Sequence, residues 1–294
     1  MQRILIIGCG DIALRVAALL RPRHRVLGLI RDPAKAAQLR AAGIVPVIGD
    51  LDAPTSLGRL AGLADCVLHF APPPNQGSRD PRTGHLLNAL TKGEILPQRL
   101  VYISTSGVYG DCGGSWVDET RTPRPSTDRA RRRVDAERQI RAFGRRSGAI
   151  VSILRVPGIY AAGRLPEARI RAGLPALLAA EDGYTNHVHA DDLARAAVAA
   201  LYRGRNGRVY NVVDNDRLRM ADYFDAVADH LGLPRPPRLP REQAAQQLSP
   251  AMLSFMDESR RLSNLRARKA LRWVPRYPTV ADGIAHDSRL PAPR

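Results

Sequence analysis

A glycine-rich turn separates an apolar N-terminal run from the helical stretch that follows it. The run covers residues 2–7, the turn reads Gly8-x-Gly10-x-x-Ala13, and residues 14–20 have helical spacing. In such a unit the first glycine permits a tight turn, the second lets the backbone approach a pyrophosphate, and the small third residue lets helix and strand pack closely. The helix N-terminus then presents N–H groups to the phosphates. The predicted phosphate-binding residues are Gly8, Gly10, Asp11, Ile12 and Ala13.

Strands and helices alternate along the first half of the chain. Helical stretches such as residues 33–42, 82–92 and 126–146 separate six apolar segments, at residues 2–7, 25–30, 44–48, 65–70, 100–104 and 150–155. This alternation is typical of βαβ units. Segments that are apolar throughout belong in a sheet covered on both faces. We predict an α/β fold, with a Rossmann-type, doubly wound parallel sheet and a smaller C-terminal substrate lobe.

The alternation loosens after residue 155. Helices are expected at residues 191–202 and 220–231, a strand at 209–213, and a proline-rich linker at 234–240. We assign residues 1–160 to a dinucleotide-binding core. Residues 161–294 form the C-terminal lobe, of which a segment near residues 185–215 is expected to return to the core.

The charge of the chain is large, but it does not point to nucleic acid. The formal net charge is +17, and 42 of the 45 basic residues are arginines rather than lysines. A scarcity of lysine alongside abundant alanine, leucine and proline is typical of a GC-rich coding bias. No basic tail and no basic stripe interleaved with aromatic residues is present, and those would mark a nucleic-acid surface. We expect a solvated arginine-rich surface.

Other classes of protein are disfavoured by composition. Three cysteines are too few and too scattered for a disulfide framework or a zinc ribbon. No apolar run reaches the ~18 residues of a membrane span, and we expect a cytoplasmic protein. His187 and His189 could suggest a metal pair. The ordinary role of a histidine before Asp191-Asp192 at a helix start is capping, so we predict no metal site.

The end of the second strand bears on the choice of cofactor. An acidic residue there binds the adenosine ribose hydroxyls of NAD, whereas an arginine accommodates the 2′-phosphate of NADP. This chain has Arg31, followed by Asp32. We predict that NADP(H) is preferred, while Asp32 keeps NAD(H) possible.

Several further segments carry a resemblance to a known family. In chain order they are Gly49-Asp50-Leu51, His69-Phe70-Ala71-Pro72, Ser104-Thr105-Ser106-Gly107-Val108-Tyr109-Gly110, Leu154-Arg155-Val156-Pro157-Gly158-Ile159-Tyr160 and His189-Ala190-Asp191-Asp192-Leu193. Together they resemble the extended and atypical short-chain dehydrogenase/reductases, the NAD-dependent epimerase/dehydratase superfamily. The C-terminal residues 261–264 and 271–278 resemble a subgroup that includes the YeeZ-type bacterial proteins. The resemblance implies cofactor contacts at Asp50, Leu51, Ala71, Pro72 and Pro157.

The chain departs from that family at the catalytic dyad. Family enzymes use a Ser/Thr with a Tyr-x-x-x-Lys pair, in which the tyrosine transfers the proton and the lysine lowers its pKa. Thr105 occupies the Ser/Thr position. With Glu137 as the anchor, Arg129 stands at the tyrosine position and Arg133 at the lysine position. Arginine stays protonated, so neither residue can shuttle a proton, although both can stabilise an anion.

Two functions remain open on the sequence alone. The first is an atypical NAD(P)-dependent oxidoreductase, or a relative of the sugar-nucleotide epimerases, whose candidate site residues are Thr105, Arg129 and Arg133. Its substrate would be a small molecule, anionic or nucleotide-linked. The second is an inactive NAD(P)H-binding sensor. The acidic pair of the family's sugar-nucleotide dehydratases is missing after Thr105, which argues against dehydration. Both a monomer and a homodimer fit the sequence.

Overall fold

The computed structural model describes residues 1–287, and its centre is a seven-stranded parallel sheet. The strands are β1 (Arg3–Ile7), β2 (Arg25–Ile30), β3 (Val45–Ile48), β4 (Cys66–His69), β5 (Arg99–Thr105), β6 (Ile150–Val156) and β7 (Arg208–Asn211). Their order across the sheet is β7-β6-β5-β4-β1-β2-β3, and every neighbouring pair is parallel. The order reverses at β1, as in a doubly wound sheet. The predicted fold class is confirmed.

Helices cover both faces of this sheet. In chain order they are α1 (Asp11–Leu20), α2 (Ala36–Ala41), α3 (Pro81–Leu90), α4 (Asp128–Ser147), α5 (Glu167–Arg171), α6 (Ala190–Arg203), α7 (Met220–Leu231), α8 (Arg241–Ala245), α9 (Pro250–Met256), α10 (Leu265–Leu271) and α11 (Val280–Asp287). α1 packs against α6, and α3 packs against α4. Successive β1 side chains enter different cores because strand side chains alternate. Ile4 and Ile6 face one core, and Leu5 and Ile7 face the other.

The C-terminal half adds a third core and returns to the sheet. Tyr160, Leu177, Phe224 and Ile284 are buried together in the cluster that the C-terminal helices enclose. Between these segments, the chain contributes α6 to one face of the sheet and β7 to its edge. The boundary at residue 160 stays a prediction.

Two local expectations need correction. The helix expected from Pro33 to Ala42 begins as a 3₁₀ turn, Pro33–Lys35, and only Ala36–Ala41 is α-helical. The Asp32 carboxylate caps this turn by accepting a hydrogen bond from the Ala34 N–H, at 2.9 Å. The strand expected at 209–213 ends at Asn211. The Val212 N–H still bonds to the Arg155 carbonyl, but the Asp214 N–H bonds to the His187 carbonyl, outside the sheet. The expected cap at His189 is confirmed, since its Nδ1 accepts from the Asp191 N–H.

Candidate functional site

A cavity of about 470 Å³ opens at the carboxyl ends of β1, β2 and β4. Parallel sheets bind ligands at this edge, where the strand order reverses. Seven of the predicted cofactor-binding residues line the cavity: Gly8, Gly10, Arg31, Asp50, Leu51, Ala71 and Pro72. We call it the nucleotide cavity.

The two positions of the turn are occupied by glycine for different structural reasons. Gly8 has φ +93°, and a Cβ there would lie 2.5 Å from the backbone nitrogen of Ala71. Only glycine therefore fits between β1 and the segment that follows β4. A Cβ on Gly10 would meet nothing within 4 Å, because it would point into open space. That space is the cradle a dinucleotide phosphate needs above the N-terminus of α1.

Three residues of the predicted phosphate site do not line the nucleotide cavity. The side chains of Ile12 and Ala13 are buried in the core beneath the sheet. Asp11 begins α1 and accepts hydrogen bonds from Arg15, at 2.9 Å, and Arg164, at 3.1 Å. The side chains of these three residues instead hold α1 in position, with its N-terminus facing the nucleotide cavity. Its first N–H groups remain without intrahelical partners, as in any helix.

Cys9 lies within the turn, directly before the N-terminus of α1. Burial raises the pKa of this thiol to about 12. Its Sγ donates weakly to the Ile6 carbonyl, and a Cβ on Gly28 would lie 2.7 Å from the sulfur. The thiol therefore packs below the turn as a neutral group, and a thiolate nucleophile is excluded at neutral pH.

The end of the cavity beyond β2 is rich in cations. Arg31 and Lys35 line it and are exposed. Asp32 also lines it, but one oxygen of its carboxylate is held by the cap of the 3₁₀ turn. Sequence reasoning found Arg31 and missed Lys35, whose place in the cavity depends on the tight turn after β2.

Arg82 is a second cavity residue that sequence reasoning missed. Its Nε donates to one carboxylate oxygen of Asp52 at 2.7 Å and its Nη2 to the other at 2.5 Å. Its Nη1 reaches the Pro72 carbonyl. This fork ties α3 to the loops after β3 and β4, which form one wall of the cavity. The partners are 30 residues apart, so no local pattern indicates the pair.

A second cavity, of about 330 Å³, lies beside the carboxyl ends of β5 and β6. We call it the substrate cavity. Thr105, Arg129 and Pro157 line it, together with Ser106, Gly107, Gly158, Tyr184, Thr185, Asn186, His187, Met220, Phe255, Glu258 and Arg260. Pro157 therefore stands here rather than in the nucleotide cavity. The Thr105 Oγ1 accepts from the Gly107 N–H at 3.2 Å, which leaves its hydroxyl hydrogen free to donate.

The two arginines at the dyad positions take different places. The Arg129 guanidinium stacks over the Phe255 ring, with its carbon 4.2 Å from the ring centroid, at the wall of the substrate cavity. Arg133 instead donates from Nη1 to the Ile103 carbonyl at 2.8 Å and to the Tyr102 hydroxyl at 3.1 Å. The structure thus brings Thr105 and Arg129 to one cavity and ties Arg133 to β5.

A buried ion pair fixes the helix that carries these arginines. The Arg155 side chain on β6 donates to both oxygens of Glu137 on α4, at 3.0 and 2.7 Å. The Ser104 hydroxyl donates to the same carboxylate at 2.7 Å. Glu137 and Arg155 are only 1% and 2% exposed. The anchor used to place the missing dyad is therefore a structural contact that sets α4 against β5 and β6.

The tyrosines of two motif segments are buried and hydrogen-bonded within the fold. Tyr109 is buried and donates to Asn211, and Tyr160 is buried and donates to the Thr279 carbonyl. Within residues 1–287, no group of three or more His, Cys, Asp or Glu side chains is arranged to hold a metal ion. None of the helices in that part of the chain combines the length and apolar character needed to cross a membrane.

Comparison with known proteins places this geometry in a family. The profile of the NAD dependent epimerase/dehydratase family matches residues 13–213. The chain belongs to this family. The match includes β7 and α4, the helix that carries Arg129 and Arg133.

Individual relatives span nearly the whole chain. A 3-diazoavenalumate denitrifying reductase of a Streptomyces species is 28% identical over 310 residues, covering 97% of this chain and 100% of the relative. A functionally unknown conserved protein from Silicibacter pomeroyi is 28% identical, with a TM-score of 0.82 and 98% coverage of both chains. UDP-glucuronic acid 4-epimerase from Bacillus cereus, solved with NAD, has a TM-score of 0.75 at 20% identity and 96% coverage of both chains, a likeness of fold.

Proposed function

We propose that this family member is an NADP(H)-dependent reductase of small anionic substrates that works without a tyrosine proton donor. One observation carries the proposal: Arg129, which the sequence comparison aligned with the family's tyrosine, lines the substrate cavity together with Thr105. The substrate cavity and the nucleotide cavity open at the same edge of one sheet. A cofactor bound in one would therefore lie beside a substrate bound in the other.

The nucleotide cavity fits a dinucleotide. Its open space above Gly10 matches the pyrophosphate, and the first turn of α1 offers N–H groups to it. When bound, the nicotinamide cofactor supplies the hydride. The cations at Arg31 and Lys35 suit a 2′-phosphate, and the cap at Ala34 engages one oxygen of the Asp32 carboxylate. These residues support a preference for NADP(H) over NAD(H).

The residues of the substrate cavity favour reduction over oxidation or epimerisation. Oxidation of an alcohol needs a base to remove its proton, and a guanidinium cannot serve as one. The Thr105 hydroxyl can instead donate to a substrate oxygen that gains negative charge as its carbon accepts the hydride, and Arg129 can hold the anionic group of the substrate. The resulting alkoxide takes its proton from solvent water. The Streptomyces relative, a reductase by name, supports the same direction.

Cofactor preference is tested by binding titrations with NADPH and NADH. We expect Arg31→Ala to weaken NADPH binding by about 10- to 100-fold, the effect of a lost charged hydrogen bond, and to change NADH binding little. Arg25→Ala is the matched control, because Arg25 is an exposed arginine at the opposite end of β2. Equal affinity of the wild type for both dinucleotides would refute the preference.

Catalysis is tested by NADPH oxidation with a panel of carbonyl compounds and conjugated acids. Thr105→Ala should lower turnover by roughly 10²- to 10⁴-fold and leave NADPH affinity unchanged. Gly10→Val should abolish binding of either dinucleotide, because the branched side chain fills the cradle. Full turnover by Thr105→Ala would contradict this site.

The missing proton donor also favours a second function, an NADPH sensor that performs no chemistry. The same experiment separates the two. Tight NADPH binding with no turnover of any compound in the panel, by the wild type, would favour the sensor.

A further inference from the structure

His187 is a buried imidazole in the wall of the substrate cavity, and its ring packs against aromatic residues without a hydrogen bond at Nδ1 from within residues 1–287. It begins the short strand His187–His189 directly before α6 and is 5% exposed. Its Nδ1 is fully buried and has no hydrogen-bond partner among the described residues. The ring stacks on Tyr223, with centroids 3.9 Å apart. Buried polar groups in proteins are nearly always paired, so an unpaired one needs a reason.

The residues around the His187 ring leave its Nε2 edge uncovered on the side of the substrate cavity. A Cβ on Gly158 would lie 2.9 Å from the Cδ2 of His187 and 3.5 Å from its Nε2. Gly158 itself lines the substrate cavity. The Nε2 edge therefore lies at the cavity side, where glycine keeps it uncovered. With no acceptor near Nδ1, the ring hydrogen belongs on Nε2.

The ring is neutral under ordinary conditions. Burial lowers the pKa of His187 to about 3. A neutral imidazole with its hydrogen on Nε2 donates one hydrogen bond into the cavity and carries no charge. Such a group polarises a carbonyl oxygen, but it does not release its own proton to the product.

The charged residues of the same cavity leave one net positive charge. Arg129 and Arg260 are the cations among the lining residues, and Glu258 is the carboxylate. Glu258 accepts from Arg260 at 2.8 Å and from the Ser126 hydroxyl at 2.7 Å. Its charge is therefore matched to Arg260, and Arg129 has no hydrogen-bonded carboxylate partner in residues 1–287. One net charge suits a monocarboxylate better than a nucleoside diphosphate.

The volume of the substrate cavity also favours a small ligand. About 330 Å³ lies at the small end of the range of ~300–1,000 Å³ for ligand pockets. Tyr184, Met220 and Phe255 supply apolar wall between the polar groups. We propose that the substrate cavity binds a small keto acid or a similar monocarboxylate, with the carboxylate at Arg129 and the carbonyl oxygen accepting from His187. The proposal rests on the proposed function, since it names the substrate class of that site.

Calorimetric binding tests this directly, with and without NADP⁺, and requires no turnover. The probe is 4-oxo-4-phenylbutanoate, which carries one carboxylate and one ketone. Its matched partners are 4-phenylbutanoate, which lacks the ketone oxygen, and the amide of the probe, which lacks the charge. We expect the wild type to prefer the probe to both partners.

Each variant should remove one of these preferences only. In His187→Phe the probe and 4-phenylbutanoate should bind equally, a loss of about 3- to 10-fold for the probe. In His187→Gln a donor returns and the ketone preference should recover in part. In Arg129→Leu the probe and its amide should bind equally, a loss of about 10- to 100-fold. Arg138→Leu, an exposed arginine on the same helix, is the control.

Gly158→Ala gives a test that leaves His187 itself intact. Its Cβ would displace the imidazole, so the preference for the ketone should fall while the preference for the carboxylate stays. The proposal is overturned if the wild type binds none of the three compounds. It is also overturned if both preferences survive in His187→Phe and Arg129→Leu. Binding with these preferences but no NADPH oxidation would refute the reductase and leave the ligand assignment standing.

Discussion

At the scale of single residues, sequence reasoning succeeded where a backbone conformation or a strand end fixes the side chain. Gly8 and Gly10 stand in the required turn, and Arg31 follows β2 into the nucleotide cavity. It failed where two distant segments meet. The partners of Arg82 and the surroundings of His187 depend on loops that are about 30 residues apart in the sequence. No spacing rule in the sequence indicates such pairs.

The pair of Glu137 and Arg155 gives a prediction about stability. Replacing Arg155 by methionine leaves a buried carboxylate without its main partner, which costs about 3–5 kcal/mol. Arg141 lies 3.4 Å from the same carboxylate and offsets only part of this. Urea unfolding measures the loss. Arg145→Met, on the exposed side of α4, is the control, and an equal effect from both variants would show that the pair is not stabilising.

At the scale of elements, the bounds of long helices with a clear hydrophobic period were predictable. α7 begins and ends where the sequence placed it, and α4 differs by a residue or two at each end. The short ones were not, such as the 3₁₀ helix at Pro54–Leu60 and the paired two-residue strands Trp116–Val117 and Arg261–Leu262. A strand of two residues is too short to show a hydrophobic period in the sequence. These two strands exist because the C-terminal segment packs across the loop after β5.

Asp192 on α6 fastens that C-terminal segment, and this gives a second prediction. Its carboxylate accepts from the N–H groups of Arg276 and Tyr277, both at 2.8 Å, and from Arg195. In Asp192→Ala these amides lose their acceptor, so their hydrogen exchange should accelerate by about 10-fold or more. Hydrogen-exchange mass spectrometry resolves the segment.

Asp191→Ala is the neighbouring control, because the Asp191 carboxylate pairs with Arg15 at the surface of α1. Its exchange at residues 276 and 277 should match the wild type. Unchanged exchange in Asp192→Ala would mean that packing alone holds the segment.

At the scale of the whole molecule, buried histidines set the response to acid. Burial lowers the pKa of both His69 and His187 to about 3, from an ordinary 6.5. The unfolded chain binds a proton at each before the folded chain does. Their contribution to stability is therefore present above pH 6.5 and is lost as the pH falls towards 3. Asp214 acts in the opposite sense, because burial raises the pKa of its carboxyl, and its contribution is lost as the pH rises.

Comparing variants isolates one histidine from these opposing groups. Each buried histidine should lose about 1.4 kcal/mol of stability per pH unit below 6.5, or about 2 kcal/mol at pH 5. His187→Gln should therefore lose less stability between pH 7 and pH 5 than the wild type, by about that amount. Urea midpoints at the two pH values measure it. His230→Gln, at an exposed site on α7, should lose as much stability between the two pH values as the wild type does. An equal loss in His187→Gln would contradict the contribution assigned to the buried His187.

The place of β7 at the sheet edge has a consequence for how the chain is made. During translation β6 leaves the ribosome complete at residue 156, but its outer partner, β7, begins only at Arg208. At synthesis rates of ~5–20 residues per second, that edge stays unpaired for seconds. An open, apolar strand edge is a template for aggregation. A fragment that stops at residue 160 should therefore collect in inclusion bodies and bind chaperones, while one extended past residue 215 should stay in the supernatant far longer.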